Sequence, residues 1–303
     1  MRIYAIEAAD GVVLVDAGWD RSDGLERLDG SLREIGAGLD AVRGVLFTHW
    51  HHDHYALGAA LRDATGAWLA LHRVEAELIA DPPGVDAVAG LDGWFASLGV
   101  PGDERADAVE AAVRIWGATP RFGPDRSLDD GSSVEVGGLR LEVMHTPGHS
   151  PGHACFVAAD RGVVFSGDHV LSQTTPNVGI LPWTAGSPLD DYLESLARTR
   201  ALGGLLALPG HEELVPVGAR SEELLEHHRE QLAHAESLVA AGEATVNAVA
   251  RGMPWTTPWD DLGPLDRQLA LAEAYAHLAA LERRGRLVRV SERPLRWSPP
   301  ARA

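Results

Sequence analysis

The sequence of 303 residues contains one cysteine, Cys155, and no lysine. One cysteine cannot form an intramolecular disulfide, and its place in the apolar run ACFVA indicates a buried core residue rather than a nucleophile. Long hydrophobic runs are also missing, since none reaches the roughly 18–20 residues of a membrane-spanning helix. The N-terminal residues lack the pattern of an export signal, so we expect a cytoplasmic protein with no membrane partner.

Positive charge is scarce: 26 arginines face 44 acidic residues, for a formal net charge of −18. A negative surface repels phosphates, which argues against nucleic-acid binding over most of the protein. The charge is uneven, because residues 1–220 carry −16 and residues 221–303 carry −2. The basic residues of 283–302 leave nucleic-acid binding open for the C-terminal segment alone.

Short β-rich runs alternate with helical runs over the first two thirds of the chain. GVVLVDAG, VRGVLFTH and AWLALH predict strands, while 25–36 and 53–66 have helical spacing of apolar residues. This alternation is typical of a layered α/β architecture. We expect a larger domain at 1–218 and a small α+β domain at 219–303.

Residues 73–127 interrupt the alternation as a helical insert. Two helix-like segments, around 86–98 and 104–116, include Trp94 and Phe95. Packing between the two helices explains these aromatic residues. The alternative is a lid whose apolar face lines a substrate pocket, which makes both residues candidate substrate contacts.

The C-terminal third has a different pattern. A long helical pattern at 222–242, a short one after it and a third at 263–285 precede a predicted β-hairpin. Three helices followed by a hairpin are in the order of a winged helix.

The heptapeptide THWHHDH at 48–54 contains four histidines and one aspartate. His49 and His51 are two apart at the end of a predicted strand, so both imidazoles point to the same side and can reach one metal. Asp53 and His54 begin the next helix and can turn toward a second position; imidazole and carboxylate are both good zinc ligands. Three further candidates each follow a predicted strand within a glycine-containing loop: His149, Asp168 and His211.

These motifs, in this order, resemble the metallo-β-lactamase superfamily from residue 11 to about 215, with Asp16–Gly18 matching an early DxG. The resemblance implies a four-layer αββα sandwich with the metals at one edge of its two sheets. Family members of this type have a further strand before the segment that opens this chain, so either the sheet is one strand short or the chain begins downstream of its natural start. The implied ligands are His49, His51 and His149 for the first metal, Asp53, His54 and His211 for the second, and Asp168 as the bridge.

The resemblance also implies chemistry. The open ligand set predicts two zinc ions, with iron or manganese as alternatives, and a bridging hydroxide that attacks an ester-like carbonyl of a small acyl substrate: a thioester, lactone or ester. Asp53, besides binding metal, could orient the hydroxide, so Asp53 and Asp168 are the predicted catalytic residues. Thr175 and Asn177 are candidate residues of the pocket wall.

Other functions stay open. The tail resembles the winged-helix appendage of lactamase-β-2-like proteins, which include single-strand endoribonucleases. A β-lactamase and a non-catalytic DNA-binding protein are weaker alternatives. The helix before the predicted wing contains Asp266, Glu273 and Glu282, a poor surface for phosphates. We therefore expect the tail to serve packing or homodimerisation.

Overall fold

A computed structural model describes residues 1–81, 90–116 and 122–301. Its first sheet has five strands in the order β1-β2-β3-β4-β5. Strand β1 is antiparallel to β2, and each later neighbouring pair is parallel. The strands are β1 (Tyr4–Ala8), β2 (Gly11–Val15), β3 (Val42–Leu46), β4 (Trp68–His72) and β5 (Arg126–Leu128). Because β2 and β3 are parallel neighbours, the loops after them begin at the same edge of the sheet.

The second sheet has six strands in the order β11-β10-β9-β8-β7-β6. Strands β9 and β10 are parallel, and the other neighbouring pairs are antiparallel. The strands are β6 (Ser133–Val136), β7 (Leu139–His145), β8 (Ala154–Ala158), β9 (Val163–Gly167), β10 (Leu206–Pro209) and β11 (Val215–Pro216). The loops after β9 and β10, which hold Asp168 and His211, therefore begin side by side.

The helices are α1 (Gly24–Glu34), α2 (His52–Tyr55), α3 (Gly58–Thr65), α4 (Arg73–Ala80), α5 (Leu91–Ser97), α6 (Gly102–Trp116), α7 (Pro188–Arg200), α8 (Val217–Ala240), α9 (Val246–Gly252) and α10 (Pro264–Arg283). A third sheet pairs β12 (Val288–Glu292) with β13 (Leu295–Ser298) in antiparallel fashion. Within the described ranges, no helix is both long and apolar enough to cross a lipid bilayer.

The main core lies between the two large sheets. Leu46 of the first sheet packs in one cluster with Val143 and Phe156 of the second. A separate cluster on the other face of the first sheet joins its strands to Leu32 of α1 and Leu61 of α3. The second sheet is contacted by the C-terminal half of α7, where Arg198 donates to the carbonyl of His145. The predicted layered α/β architecture is confirmed.

The chain packs as two compact units. The first comprises residues 1–82, 119–176 and 194–222 and contains both large sheets. The second comprises 83–118, 177–193 and 223–303, with three helices followed by the two-stranded sheet near its C-terminal end. The division at 218/219 stays a prediction.

Two local predictions need correction. The single helix expected over 53–66 is two helices, α2 and α3, because the carbonyl of His54 accepts the backbone N–H groups of Ala17 and Gly18 (2.8 and 3.1 Å). The carbonyl is thus taken from the helical ladder, and the helix breaks after Tyr55. The helix expected around 86–98 is α5 in its described part, since 82–89 lie outside the described residues, and residues 73–80 of the insert form the unexpected helix α4.

Candidate metal centre

The first group of ligands consists of three histidines. One donor atom each of His49, His51 and His149 lies within 4.8 Å of the other two. His49 Nε2 is 3.0 Å from His51 Nδ1. His49 and His51 follow β3, and His149 lies in the loop between β7 and β8, so the two sheets contribute to one group.

The second group combines Asp53, His54, Asp168 and His211, whose donor atoms also lie within 4.8 Å of one another. His211 Nε2 is 2.9 Å from Asp53 Oδ2, and His54 Nε2 is 3.4 Å from Asp168 Oδ1. Asp168 also reaches the first group, because its Oδ2 is 3.8 Å from His149 Nε2. The structure thus brings all seven predicted ligands together and places Asp168 between the two groups; the individual role of each residue stays a prediction.

Asp16, in the DxG turn, orients His54. This buried carboxylate accepts hydrogen bonds from His54 Nδ1 through Oδ2 (2.8 Å) and from the backbone N–H of Thr48 through Oδ1 (2.8 Å). Because a carboxylate only accepts, Nδ1 of His54 carries the proton when the ring is neutral, and Nε2 keeps its lone pair. Asp16 has a φ of 62°, a left-handed conformation that aspartate tolerates better than most residues. In the sequence, only the motif match pointed to Asp16.

Thr48 links the same carboxylate to the first group. Its hydroxyl lies 3.0 Å from Asp16 Oδ2 and 3.0 Å from His49 Nδ1. If the hydroxyl donates to the carboxylate, it accepts from His49 Nδ1, and His49 Nε2 is left to bind metal.

The charge states suit metal binding. Burial, with its histidine neighbours, holds the pKa of His49 well below the usual value and lowers that of His51 to about 3, so both rings are neutral. Burial raises the pKa of Asp168, but His54 outweighs it and brings the pKa to about 2. Burial similarly opposes the hydrogen bond from His211 and the nearby His54 ring, which hold the pKa of Asp53 below its usual range.

Two buried atoms of the second group test whether a metal fits. Nε2 of His54 and Oδ1 of Asp168 make no hydrogen bond with the residues that the structure describes. Burial lowers the pKa of His54, but the carboxylates of Asp168 and Asp16 outweigh it and hold the pKa well above the usual value. The carboxylates of Asp16, Asp53 and Asp168 lie close together here, and their negative charge favours a bound cation. Nitrogen and oxygen donors of this kind suit zinc and similar divalent ions. The residues present therefore fit metal in both groups.

Two glycines leave the space that these side chains need. A Cβ on Gly210 would lie 2.4 Å from His54 Cε1 and 2.7 Å from Asp168 Oδ1. A Cβ on Gly167, whose φ is 49°, would lie 2.6 Å from the Cβ of Thr48. Neither position can carry a side chain without moving the ligand groups.

The other histidines of the motifs surround the centre. His153 Nε2 accepts from the backbone N–H of Asp168 (3.2 Å), and His169 Nε2 lies 3.1 Å from the hydroxyl of Thr199. His145 Nε2 lies 3.0 Å from the carbonyl of Pro151. His52 begins α2 and is half-buried. These contacts agree with supporting rather than ligating positions.

Two glutamates missed by the sequence analysis hold the loops. The buried Glu75 accepts hydrogen bonds from the hydroxyl of Ser150 and the backbone N–H of Gly152 on either side of the β7–β8 turn. Glu212, next to His211, accepts from the backbone N–H of Gln173 (2.6 Å) and so holds the loop after Asp168. Both pairs are far apart in sequence, which is why no local pattern indicated them.

The candidate substrate contacts lie in different settings. Phe95 is fully buried on α5, and Trp94 beside it is half-buried. Thr175 is half-buried in the loop after Asp168. Asn177 donates to the carboxylate of Glu273 (3.0 Å). Their roles, and that of the insert as a lid, stay predictions, and part of the insert lies outside the described residues.

A model of the metallo-beta-lactamase superfamily matches residues 2–211, the segment that holds every ligand. The chain belongs to the metallo-beta-lactamase superfamily. Both ligand groups described above lie within the matched residues.

The similar proteins include enzymes of this superfamily. Human acyl-coenzyme A thioesterase MBLAC2 is 31% identical over 219 residues, which cover 69% of this chain and 72% of the relative. Lactamase-like protein adaB of Aspergillus niger is 26% identical over 234 residues, and the match spans 55% of adaB, little more than half its length. A metallo-beta-lactamase family protein of Thermus thermophilus superposes with a TM-score of 0.82 at 30% identity, over 98% of this chain and 93% of the other.

Proposed function

We propose that this superfamily member is a dinuclear hydrolase of small acyl substrates, with thioesters as the first class and lactones and esters as the alternatives. The observation that carries the proposal is the pair of adjoining ligand groups that share Asp168. A structural zinc is normally enclosed by four protein ligands, whereas three histidines in the first group, and two histidines with Asp53 in the second, leave positions for water and substrate beside Asp168. The similarity to an acyl-coenzyme A thioesterase favours thioesters.

The exposure of the ligands supports one direction of approach for a substrate. His49 and His54 are fully buried and form the floor. The side chains of His211 and Asp53 keep 32% and 21% of their surface exposed. An acyl carbonyl would therefore approach over Asp53 and His211.

Metal ions bound in both groups would supply an activated water and polarise the carbonyl of the substrate. Asp53 lies at the open side, and its carboxylate is ionised at neutral pH. It can accept a hydrogen bond from the attacking water and so orient it. Asp16 and Thr48 keep the histidines in the tautomers that ligation needs. Zinc is the proposed metal because the donors are imidazole and carboxylate, with iron and manganese as alternatives.

The C-terminal tail is proposed to be a winged-helix appendage of the lactamase-β-2-like type, used for packing or for a homodimer. Helices α8, α9 and α10 precede the β12–β13 sheet in the order of that motif. The helix before the sheet, α10, has 12 of its 20 residues buried. A helix buried on most of its sides is a core element and cannot also lie in a DNA groove.

Ion pairs within the tail oppose a ribonuclease. Arg283 and Arg284 both contact Asp190, and Arg286 contacts Glu236. Arg289 contacts Glu282, at 2.9 Å. These guanidinium groups are engaged by carboxylates, which weakens the attraction that the basic segment could exert on phosphates.

The test is turnover of a panel of acyl-coenzyme A thioesters, lactones and aryl esters by zinc-loaded protein. We expect hydrolysis of at least one class, and its loss in Asp53→Ala. The matched control is His52→Ala, which removes the neighbouring side chain and should retain turnover. Failure of every carbonyl substrate together with cleavage of single-stranded RNA would refute the proposal in favour of the ribonuclease.

A further inference from the structure

A third group of potential metal ligands lies in the C-terminal unit. His227 and His228 on α8 and Glu273 on α10 each have one donor atom within 4.8 Å of the others. His228 and Glu273 are buried, and His227 is half-buried. All three belong to the compact unit that contains residues 223–303, so they are distinct from the seven ligands of the sheet edge.

A chain of hydrogen bonds fixes the tautomer of His228. The carbonyl of Glu273 lies 2.8 Å from Nδ1 of His277, and a carbonyl only accepts, so this nitrogen carries the proton. Nε2 of a neutral His277 is then an acceptor, and it faces Nδ1 of His228 at 3.3 Å. Nδ1 of His228 must therefore donate, and its Nε2 has a free lone pair.

That lone pair is buried without a hydrogen-bond donor. Among the described residues, none forms a hydrogen bond to Nε2 of His228. Burial holds the pKa of His228 well below the usual value and lowers that of His277 to about 4, which keeps both rings neutral. A neutral imidazole that donates its other N–H is the form in which histidine binds metal.

The carboxylate of Glu273 is the third donor of the group. Its Oε2 accepts a hydrogen bond from Asn177 Nδ2 at 3.0 Å. Burial raises the pKa of Glu273 to about 8 despite this bond, and a cation bound beside the carboxyl group would lower that pKa and favour the ionised, ligating form. Ligands around a zinc ion at about 2.1 Å lie on the order of 3–4 Å apart, which is compatible with the spacing in this group.

We propose that His227, His228 and Glu273 form a third metal site, which binds one divalent ion such as zinc and ties α8 to α10. His277 is a positioning residue that fixes the tautomer of His228. The site does not depend on the hydrolase function, because it uses none of the residues of the catalytic centre.

Equilibrium dialysis of the untagged full chain against rising zinc concentrations tests the site. We expect three equivalents of zinc in the wild type and two in His228→Gln. The matched control is His234→Gln, an exposed histidine of the same helix, which should keep three. Glu273→Gln preserves the shape of the side chain and should weaken the third equivalent alone, by more than the about 10–100-fold typical of a lost outer contact.

Circular dichroism tests whether each variant is folded. If His228→Gln does not fold, the result for Glu273→Gln decides the question. A wild-type plateau no higher than that of a folded His228→Gln would overturn the proposal, whatever number of ions the catalytic centre binds. So would a third equivalent that either folded variant binds with unchanged affinity.

Discussion

Asp16→Asn removes one charge from the centre with almost no change of shape. The native carboxylate accepts from His54 Nδ1, from the backbone N–H of Thr48 and from its hydroxyl. An asparagine has one oxygen, and the two donors from Thr48 both lie on the side that this oxygen can serve. Its amide group then faces His54 Nδ1, donor against donor.

The conflict is relieved when His54 moves its proton to Nε2, the nitrogen that faces Asp168. A protonated Nε2 cannot bind metal. Loss of such an orienting partner typically weakens metal binding about 10–100-fold, or about 1.4–2.7 kcal/mol. The loss should fall on the second group alone, because the hydroxyl of Thr48 still has an oxygen to donate to and so still fixes His49.

Stepwise zinc affinities, measured by competition with a chromophoric chelator, test this. The expected result is one weakened dissociation constant for the two sites at the sheet edge, with the other constant of that edge unchanged within about twofold. Asp10→Asn is the control, since Asp10 lies in the β1–β2 turn with 75% of its side chain exposed. If both constants stay unchanged, Asp16 does not set the tautomer of His54. If both weaken equally, Asp16 stabilises the whole edge of the sheets rather than orienting His54 alone.

Two further substitutions test the packing around the centre. Gly210→Ala would force His54 and Asp168 apart, and a shift of about 1 Å costs on the order of 100-fold in turnover; Gly30→Ala, which meets nothing within 4 Å, should leave turnover unchanged. For Glu75, burial raises the pKa from 4.5 to about 8. A carboxyl group with a raised folded pKa contributes stability that is complete below pH 4.5 and is lost toward pH 8, by up to about 1.4 kcal/mol per pH unit. Glu75→Gln should remove this part of the pH dependence in urea unfolding at constant zinc, and an unchanged profile would contradict the assignment.

The residues that the structure brings together in the two groups could be predicted from sequence because each lies in a short motif that follows a strand. The spacing of two between His49 and His51 indicates that their side chains point to the same side of the strand. Glycine and proline mark the loops of His149 and His211. The layered α/β architecture followed from the alternation of strands and helices. These signals depend on residues that are close together in the chain, so they can be recognised in a single sequence.

The contacts that orient the ligands could not be predicted in the same way. Asp16 and His54 are 38 positions apart, and Glu75 and Ser150 are 75 apart. The first pair forms because the parallel strands β2 and β3 end at one edge of the sheet, and the second because α4 contacts the loop between β7 and β8. The break between α2 and α3 has the same origin, since the backbone of Gly18 competes for the carbonyl of His54.

His54 and His228 each donate their Nδ1–H to a neighbouring side chain, and the two neighbours differ in charge. His54 donates its Nδ1–H to the carboxylate of Asp16, which increases the basicity of Nε2 and stabilises positive charge on the metal. His228 donates to the neutral ring of His277, which fixes the tautomer but supplies no charge. Glu273 is then the one carboxylate among the three proposed ligands, whereas the edge of the sheets offers Asp53 and Asp168 as ligands and Asp16 behind them. The site in the C-terminal unit should therefore be the weakest of the three and fill last in the zinc isotherm.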